Sequence, residues 1–178
     1  KPDYVDLISA LGGQIIRIGH GHSGINPLDA GNVEQAAKLL ENHPQERSAL
    51  LAAAHERKKT MVLSLIQIIR GSSPSDREEN VIEAALSVLE NTCANPVLAD
   101  LLQVVRDAPE PVRMAALDRG SLERYKQVTE ELEASLMALL NGRLGGIFAS
   151  ATTTPMMMDR SVVFDVHDML HEHSDLQA

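Results

Sequence analysis

Residues 44–70 read PQERSALLAAAHERKKTMVLSLIQIIR, and this stretch decides the fold class. Pro44 suits a first helical turn, where its missing N–H costs nothing. From Gln45 to Arg70 no residue interrupts a helix. The centre, Met61 to Ile69, is apolar nearly all round, which predicts burial on several sides. A helix buried that way needs partners, and the chain supplies them downstream. Ser75-Asp76-Arg77-Glu78 is a capping box, with the apolar stripe of Val81 to Cys93 behind it. Asn95-Pro96 repeats the cap-then-proline start ahead of one face made by Leu98, Leu101, Leu102 and Val105. Ala108 to Pro111 breaks the pattern. Ser121 then opens the clearest amphipathic helix, carried by Leu122, Tyr125, Val128, Leu132, Leu136, Leu139 and Leu140, and Gly142 is placed to stop it. Residues 32–142 therefore read as an all-helical lobe of roughly four helices.

The flanks have a different texture. Asp3 caps a short helix in which Tyr4, Leu7, Ile8 and Leu11 share a face, and Gly12-Gly13 ends it. Gln14 to Ile18 is short and β-branched, so it predicts a strand, followed by a loop from Gly19 to Gly31. At the other end Gly145-Gly146-Ile147-Phe148 leads through a Thr-rich turn to a second predicted strand, Ser161 to Val166. His167 to Ala178 reads as the start of another helix. Two strands alone make at best a marginal sheet. They make sense as parts of a larger parallel sheet, with the helices inserted between them. The expected fold is mainly α: a helical lobe (32–142) inserted in an α/β domain, with an edge segment at 1–31 and a return strand and helix at 143–178. The chain opens on Lys1 rather than Met and closes on Leu176-Gln177-Ala178 within a helical pattern, which reads as a piece excised from a longer protein.

Composition narrows the function classes. With Lys+Arg 16 against Asp+Glu 25 the formal net charge is −9, which argues against a phosphate-gripping nucleic-acid surface. The aromatics are only Tyr4, Tyr125, Phe148 and Phe164, so stacking platforms for single-stranded bases are nearly absent. The core must come from Leu, Ile, Val, Ala and Met. Cys93 alone cannot form an internal disulfide or a cysteine zinc site, and in its apolar setting reads as a buried, inert thiol. No apolar run approaches the roughly 20 residues of a membrane span, and no leader pattern is present. A cytoplasmic location is expected.

Candidate chemistry is sparse. His20 and His22 offer two imidazoles where a closed zinc site wants about four ligands, and a solvated glycine-rich loop accounts for them. His167, His171 and His173 make a better metal constellation, the first two at i and i+4 with Asp165, Asp168 and Asp175 nearby. The Glu of a zincin motif is missing between them, and an acidic, frayed helix end explains the cluster more simply. Gly19 to Gly24 lacks the Gly-Lys-Ser/Thr ending of a phosphate-binding loop. No nucleophile–base pairing stands out, no serine sits in a nucleophile elbow, and no catalytic residue is assigned. Arg57-Lys58-Lys59 is the only basic cluster and reads as the polar face of the long helix, with a phosphate contact as the alternative. Met156-Met157-Met158 reads as flexible apolar packing.

One resemblance covers nearly the whole chain. Lys1-Pro2-Asp3-Tyr4, Leu7, Gly12-Gly13, Ile16-Arg17-Ile18 and Gly24-Ile25-Asn26-Pro27-Leu28-Asp29 resemble the segment downstream of the Walker A helix in TraC-type conjugation ATPases of type IV secretion systems. Pro2 stands where that family has glycine. The helical middle matches in pattern, and Gly145-Gly146-Ile147-Phe148 and Val162-Val163-Phe164-Asp165 match in position. The resemblance implies a helical lobe set into a RecA-like domain, between the Walker A and Walker B elements. The motif positions it carries over are Lys1, Asp3, Tyr4, Gly12, Gly13, Asn26, Pro27 and Asp165. ATP and Mg would belong to the parent rather than to this segment, which has neither Walker element. Its implied partners are neighbouring ATPase subunits and secretion-channel proteins, at the inner face of the cell membrane. Related DNA pumps of the FtsK and HerA type fit the same pattern. The competing readings are a free-standing helical interaction module, and a small metalloprotein using His167, His171 and His173.

Overall fold

The long helix is present as one uninterrupted element. The computed structural model describes residues 14–17, 24–29, 31–142, 145–148 and 162–165. Within them run β1 (Gln14–Arg17), α1 (Val33–Leu39), α2 (Pro44–Arg70), α3 (Asp76–Thr92), α4 (Leu98–Asp107), α5 (Glu110–Ala115), α6 (Leu122–Asn141), α7 (Gly145–Phe148) and β2 (Val162–Asp165). The protein is mainly helical, and four of these helices carry the bundle. Pro44 opens α2, and Gly71 closes it in the left-handed conformation with φ 75°, where glycine pays no Cβ penalty.

The bundle forms because each helix buries one apolar stripe. α2 packs on α6 and α3, α3 on α4 and α5, and α4 on α6. Val62 and Ile66 of α2 meet Val81, Ile82 and Leu86 of α3, Leu98 and Leu101 of α4, Val112 of α5, and Leu132 and Leu136 of α6 in one core. Each large side chain so buried contributes about 1.5–3 kcal/mol relative to exposure. The core also draws in Ile25, Leu28, Ile147 and Phe148, so both passages into and out of the bundle are packed against it.

Local signals account for most helix ends. Ser75 and Glu78 form the reciprocal capping box, with the Ser75 hydroxyl accepting from the Glu78 backbone N–H and the Glu78 carboxylate accepting from the Ser75 backbone N–H. Ser121 caps α6 by accepting from the Arg124 N–H at 3.3 Å. Two sequence expectations need correction. The proline start at Asn95-Pro96 does not open α4. The helix begins at Leu98 behind Val97, whose N–H donates to the Asp100 carboxylate at 2.8 Å, so the acid three residues on supplies the cap. Cys93 is half-buried rather than enclosed, because it sits at the extended C-terminal cap of α3. Gly142 does stop α6, but in an extended conformation. Glycine is needed there for space, since a Cβ would collide with the Ala138 carbonyl.

Among the described residues, three non-glycine residues hold positive φ: Ala108 (50°), Leu117 (55°) and Arg119 (54°). Ala108 ends α4 and turns the chain into α5, while Leu117 and Arg119 shape the corner before α6. At that corner the Asp118 carboxylate accepts from Arg113 Nε at 2.6 Å and from the Gly120 N–H at 2.8 Å. These bonds stabilise a backbone that would otherwise cost about 1–2 kcal/mol per left-handed residue.

The two strands pair in parallel, with Gln14 opposite Val162 and Arg17 opposite Asp165. They lie where the two β-branched runs predicted them. A parallel pair requires a crossover connection, and here everything from α1 to α7 lies within that crossover. Among the described residues β1 and β2 are the only strands.

Candidate functional site

The junction between strand and bundle holds a buried, hydrogen-bonded polar group. Gly24 to Leu28 is buried throughout. Asn26, 6% exposed, donates from Nδ2 to the Pro96 carbonyl at 2.8 Å, linking the entry segment to the α3–α4 corner 70 positions away. Its Oδ1 accepts from the Leu28 N–H at 3.0 Å, and its backbone carbonyl accepts from the Asp29 N–H at 3.0 Å. This Asx arrangement is why an Asn-Pro-Leu sequence turns here. One residue earlier, the Ile25 N–H donates to the Ile147 carbonyl in α7 at 2.8 Å. The segment entering the lobe and the segment leaving it are therefore bonded to each other.

A second polar group joins the end of α2 to the start of α3 and to α6. The Arg70 guanidinium grips Glu78 through two bonds of 2.7 and 3.1 Å and donates to Ser135 Oγ from Nε and NH2 at 3.2 and 3.0 Å. Burial pushes the Glu78 carboxyl up, but the bonds from Arg70 and Ser75 outweigh it and hold it below the usual range. The arginine is correspondingly held more firmly protonated, chiefly by its bonds to Glu78.

A third group ties the middle of α2 to α3. His55 stands between two carboxylates, Nδ1 at 2.8 Å from Glu90 Oε2 and Nε2 at 3.0 Å from Glu83 Oε1. Lys58 Nζ donates to Glu90 Oε1 at 2.9 Å. Lys59 Nζ pairs with Glu83 Oε2 at 2.9 Å and with Glu56 at 2.7 Å. The Lys59 bond lowers the Glu83 carboxyl. At Glu90 burial acts upward, and the bonds from Lys58 and His55 win. Beside this group lies an open groove of about 450 Å³ between the first turns of α2 and the end of α3, reached by Arg47, Leu51, His55 and Glu90.

These geometries decide several sequence readings. In the Arg57-Lys58-Lys59 cluster, Lys58 and Lys59 are neutralised by α3 carboxylates, so they brace two helices rather than present a phosphate site. Both nitrogens of His55 lie within hydrogen-bonding distance of α3 carboxylates, so it braces the two helices. The metal candidates His20, His22, His167, His171 and His173 lie outside the described residues, as do the motif positions Lys1, Asp3, Tyr4, Gly12 and Gly13 and the run Met156-Met157-Met158. Among the described residues no three His, Cys, Asp or Glu side chains converge as metal ligands. Asn26 and Pro27 sit at the buried junction, and Asp165 ends β2 in register with Arg17. Sequence reasoning had no signal for the Arg70–Glu78–Ser135 group beyond Glu78's place in a capping box. No described helix is long and apolar enough to cross a membrane. No family model, curated protein or solved structure matches this chain.

Proposed function

We propose that this chain is the helical lobe of a motor ATPase that powers conjugative DNA transfer or type IV secretion, inserted into a RecA-like domain between the nucleotide-binding elements. The observation that supports this reading is the junction. Entry and exit meet at the Ile25–Ile147 bond, and the flanking strands β1 and β2 run parallel. An insertion that leaves its host sheet intact has its ends close together. In the parent, ATP and Mg would occupy a site formed by residues outside this segment, and the lobe would contact neighbouring subunits or channel proteins. A related DNA-pumping ATPase would use the same arrangement.

The test is twofold. In the reading frame, a Gly-Lys-Ser/Thr loop should precede Lys1 and an apolar strand ending in Asp-Glu should follow Ala178. The parent should bind and hydrolyse ATP, and the 178-residue chain alone should bind none. Nucleotide binding by the chain alone, or a frame with neither element, would overturn the motor reading.

A second reading, a free-standing helical interaction module, has its own support in the continuous core shared by α2 to α6. A start codon just before Lys1 and a stop soon after Ala178 would favour it.

A further inference from the structure

α2 extends beyond its last ionic contact with α3, and α1 also packs on it. Arg70 meets Glu78 near the start of α3, and His55 and Lys58 meet Glu90 near its end. The turns before them, Pro44 to Ala53, contain no buried residue. They form a spur of about 15 Å at 1.5 Å per residue. Yet this spur is apolar at its centre, where Ala49-Leu50-Leu51-Ala52-Ala53 runs without a polar residue. An apolar run left open to water gains by being covered.

The spacing says what covers it. Glu46, Leu50, Ala53 and Arg57 fall at i, i+4, i+7 and i+11, the spacing of a helix-pairing seam. Glu46, Ala53 and Arg57 are exposed and Leu50 is half-buried. The seam is self-complementary in one direction only. With two copies antiparallel about the point between Leu51 and Ala52, Glu46 of each chain falls opposite Arg57 of the other, and each Leu50 falls on the small Ala53. A parallel pairing would instead oppose like charges, which destabilises. Glu46 has only a 3.7 Å approach from His43. Arg57 has a partner within the chain, and a guanidinium with five donors can serve a second.

We infer that the N-terminal spur of α2 pairs antiparallel with the same spur of a second copy of this chain, through the seam Glu46–Leu50–Ala53–Arg57. The contact is shorter than a standard interface of about 1,200–2,000 Å², so the association is weak and concentration-dependent. The inference does not rest on the motor reading, since self-association and nucleotide binding are measured separately.

Sedimentation velocity on the 178-residue chain tests it over a range of concentrations and salt. The expected result is a monomer–dimer equilibrium that weakens as salt rises, because exposed charge pairs are screened. Glu46→Arg alone, or Arg57→Glu alone, should weaken the dimer at least tenfold while leaving the circular dichroism spectrum unchanged. The double exchange Glu46→Arg with Arg57→Glu should restore it, since both pairs are then inverted together. Leu50→Glu should abolish it. A chain that stays monomeric at every concentration, or a dimer indifferent to either single reversal, would overturn the inference. So would failure of the double exchange to recover what the single changes lose.

Discussion

Arg70, on the last turn of α2, and Glu78, on the first turn of α3, hold each other through two hydrogen bonds across the tight turn between their helices. Glu78 is only 4% exposed, and the same carboxylate closes the α3 capping box on Ser75. One side chain thus fixes a helix start and a helix–helix angle together.

Removing the arginine leaves that carboxylate buried with only Ser75 to serve it. Arg70→Ala is expected to cost about 3 kcal/mol, the range for breaking a buried pair from one side. Arg70→Met combined with Glu78→Leu should recover much of the loss. Urea unfolding of the unaltered chain and the two variants measures both quantities. A single-variant cost below about 0.5 kcal/mol, the scale of an exposed pair, would show that the clamp contributes little.

Acid should loosen the α2–α3 contact before the rest. Glu78, Glu83 and Glu90 all have carboxyls held below their ordinary value in the folded protein. Folded values that are lowered mean that the unfolded chain binds protons first. The stabilisation is therefore fully present above the usual glutamate range of about 4.5 and is lost as pH falls through the lowered values. Thermal melts from neutral pH downward should show midpoints steady to about pH 5 and falling below it. A midpoint that rises on acidification would contradict the assignment.

Tyr125 offers a spectroscopic check on the core. Its hydroxyl donates to the Val105 carbonyl at 2.6 Å inside the bundle, and burial, reinforced by Glu133 and Asp118, pushes its phenol up to about 12. Of the two tyrosines in the chain, one should resist ionisation until about pH 12 in an ultraviolet titration of the folded protein. Tyr125→Phe should remove that late transition and cost about 1–3 kcal/mol, because the carbonyl is left without its donor. Two tyrosines ionising together near pH 10, the ordinary phenol value, would place Tyr125 in water.

The junction can be probed by exchange. Asn26→Asp keeps the oxygen that accepts from Leu28 but sets a carboxylate against the Pro96 carbonyl. Faster amide exchange is expected around Ile25 and at the α3–α4 corner, with α6 unchanged. Asn26→Ala should lose the turn bond as well and add to the effect. Equal protection in all three proteins would mean that the packing of Ile25 and Leu28 alone seats the segment.

What the sequence made legible was local. The Ser75–Glu78 box, the Pro44 start and the Ser121 helix each depend on residues within a turn of one another, and each stands where the pattern put it. The short helices were harder. α5 takes Pro111 into its first turn, where proline is tolerated, so the residue that read as a breaker is inside a helix. Asn95-Pro96 misled for the opposite reason: the carbonyl of Pro96 is engaged by Asn26 from far along the chain, and the helix waits until Leu98. The bonds that define the candidate site, Asn26 to Pro96 and Arg70 to Ser135, span 70 and 65 positions. No periodicity carries information over that distance. The pairing of Lys58 and Lys59 with α3 is likewise a property of register between helices rather than of either helix alone.

The Ile25–Ile147 bond carries an evolutionary consequence. A chain that leaves and returns at one point can gain, lose or exchange what lies between without retopologising the sheet, since closing a loop grows costlier only as the logarithm of its length. The same bond marks a cut-and-splice site for protein engineers: if β1 and β2 belong to a larger host sheet, as proposed above, a short glycine turn bridging it should leave them paired, and a foreign helical cassette should be graftable in place of the native one.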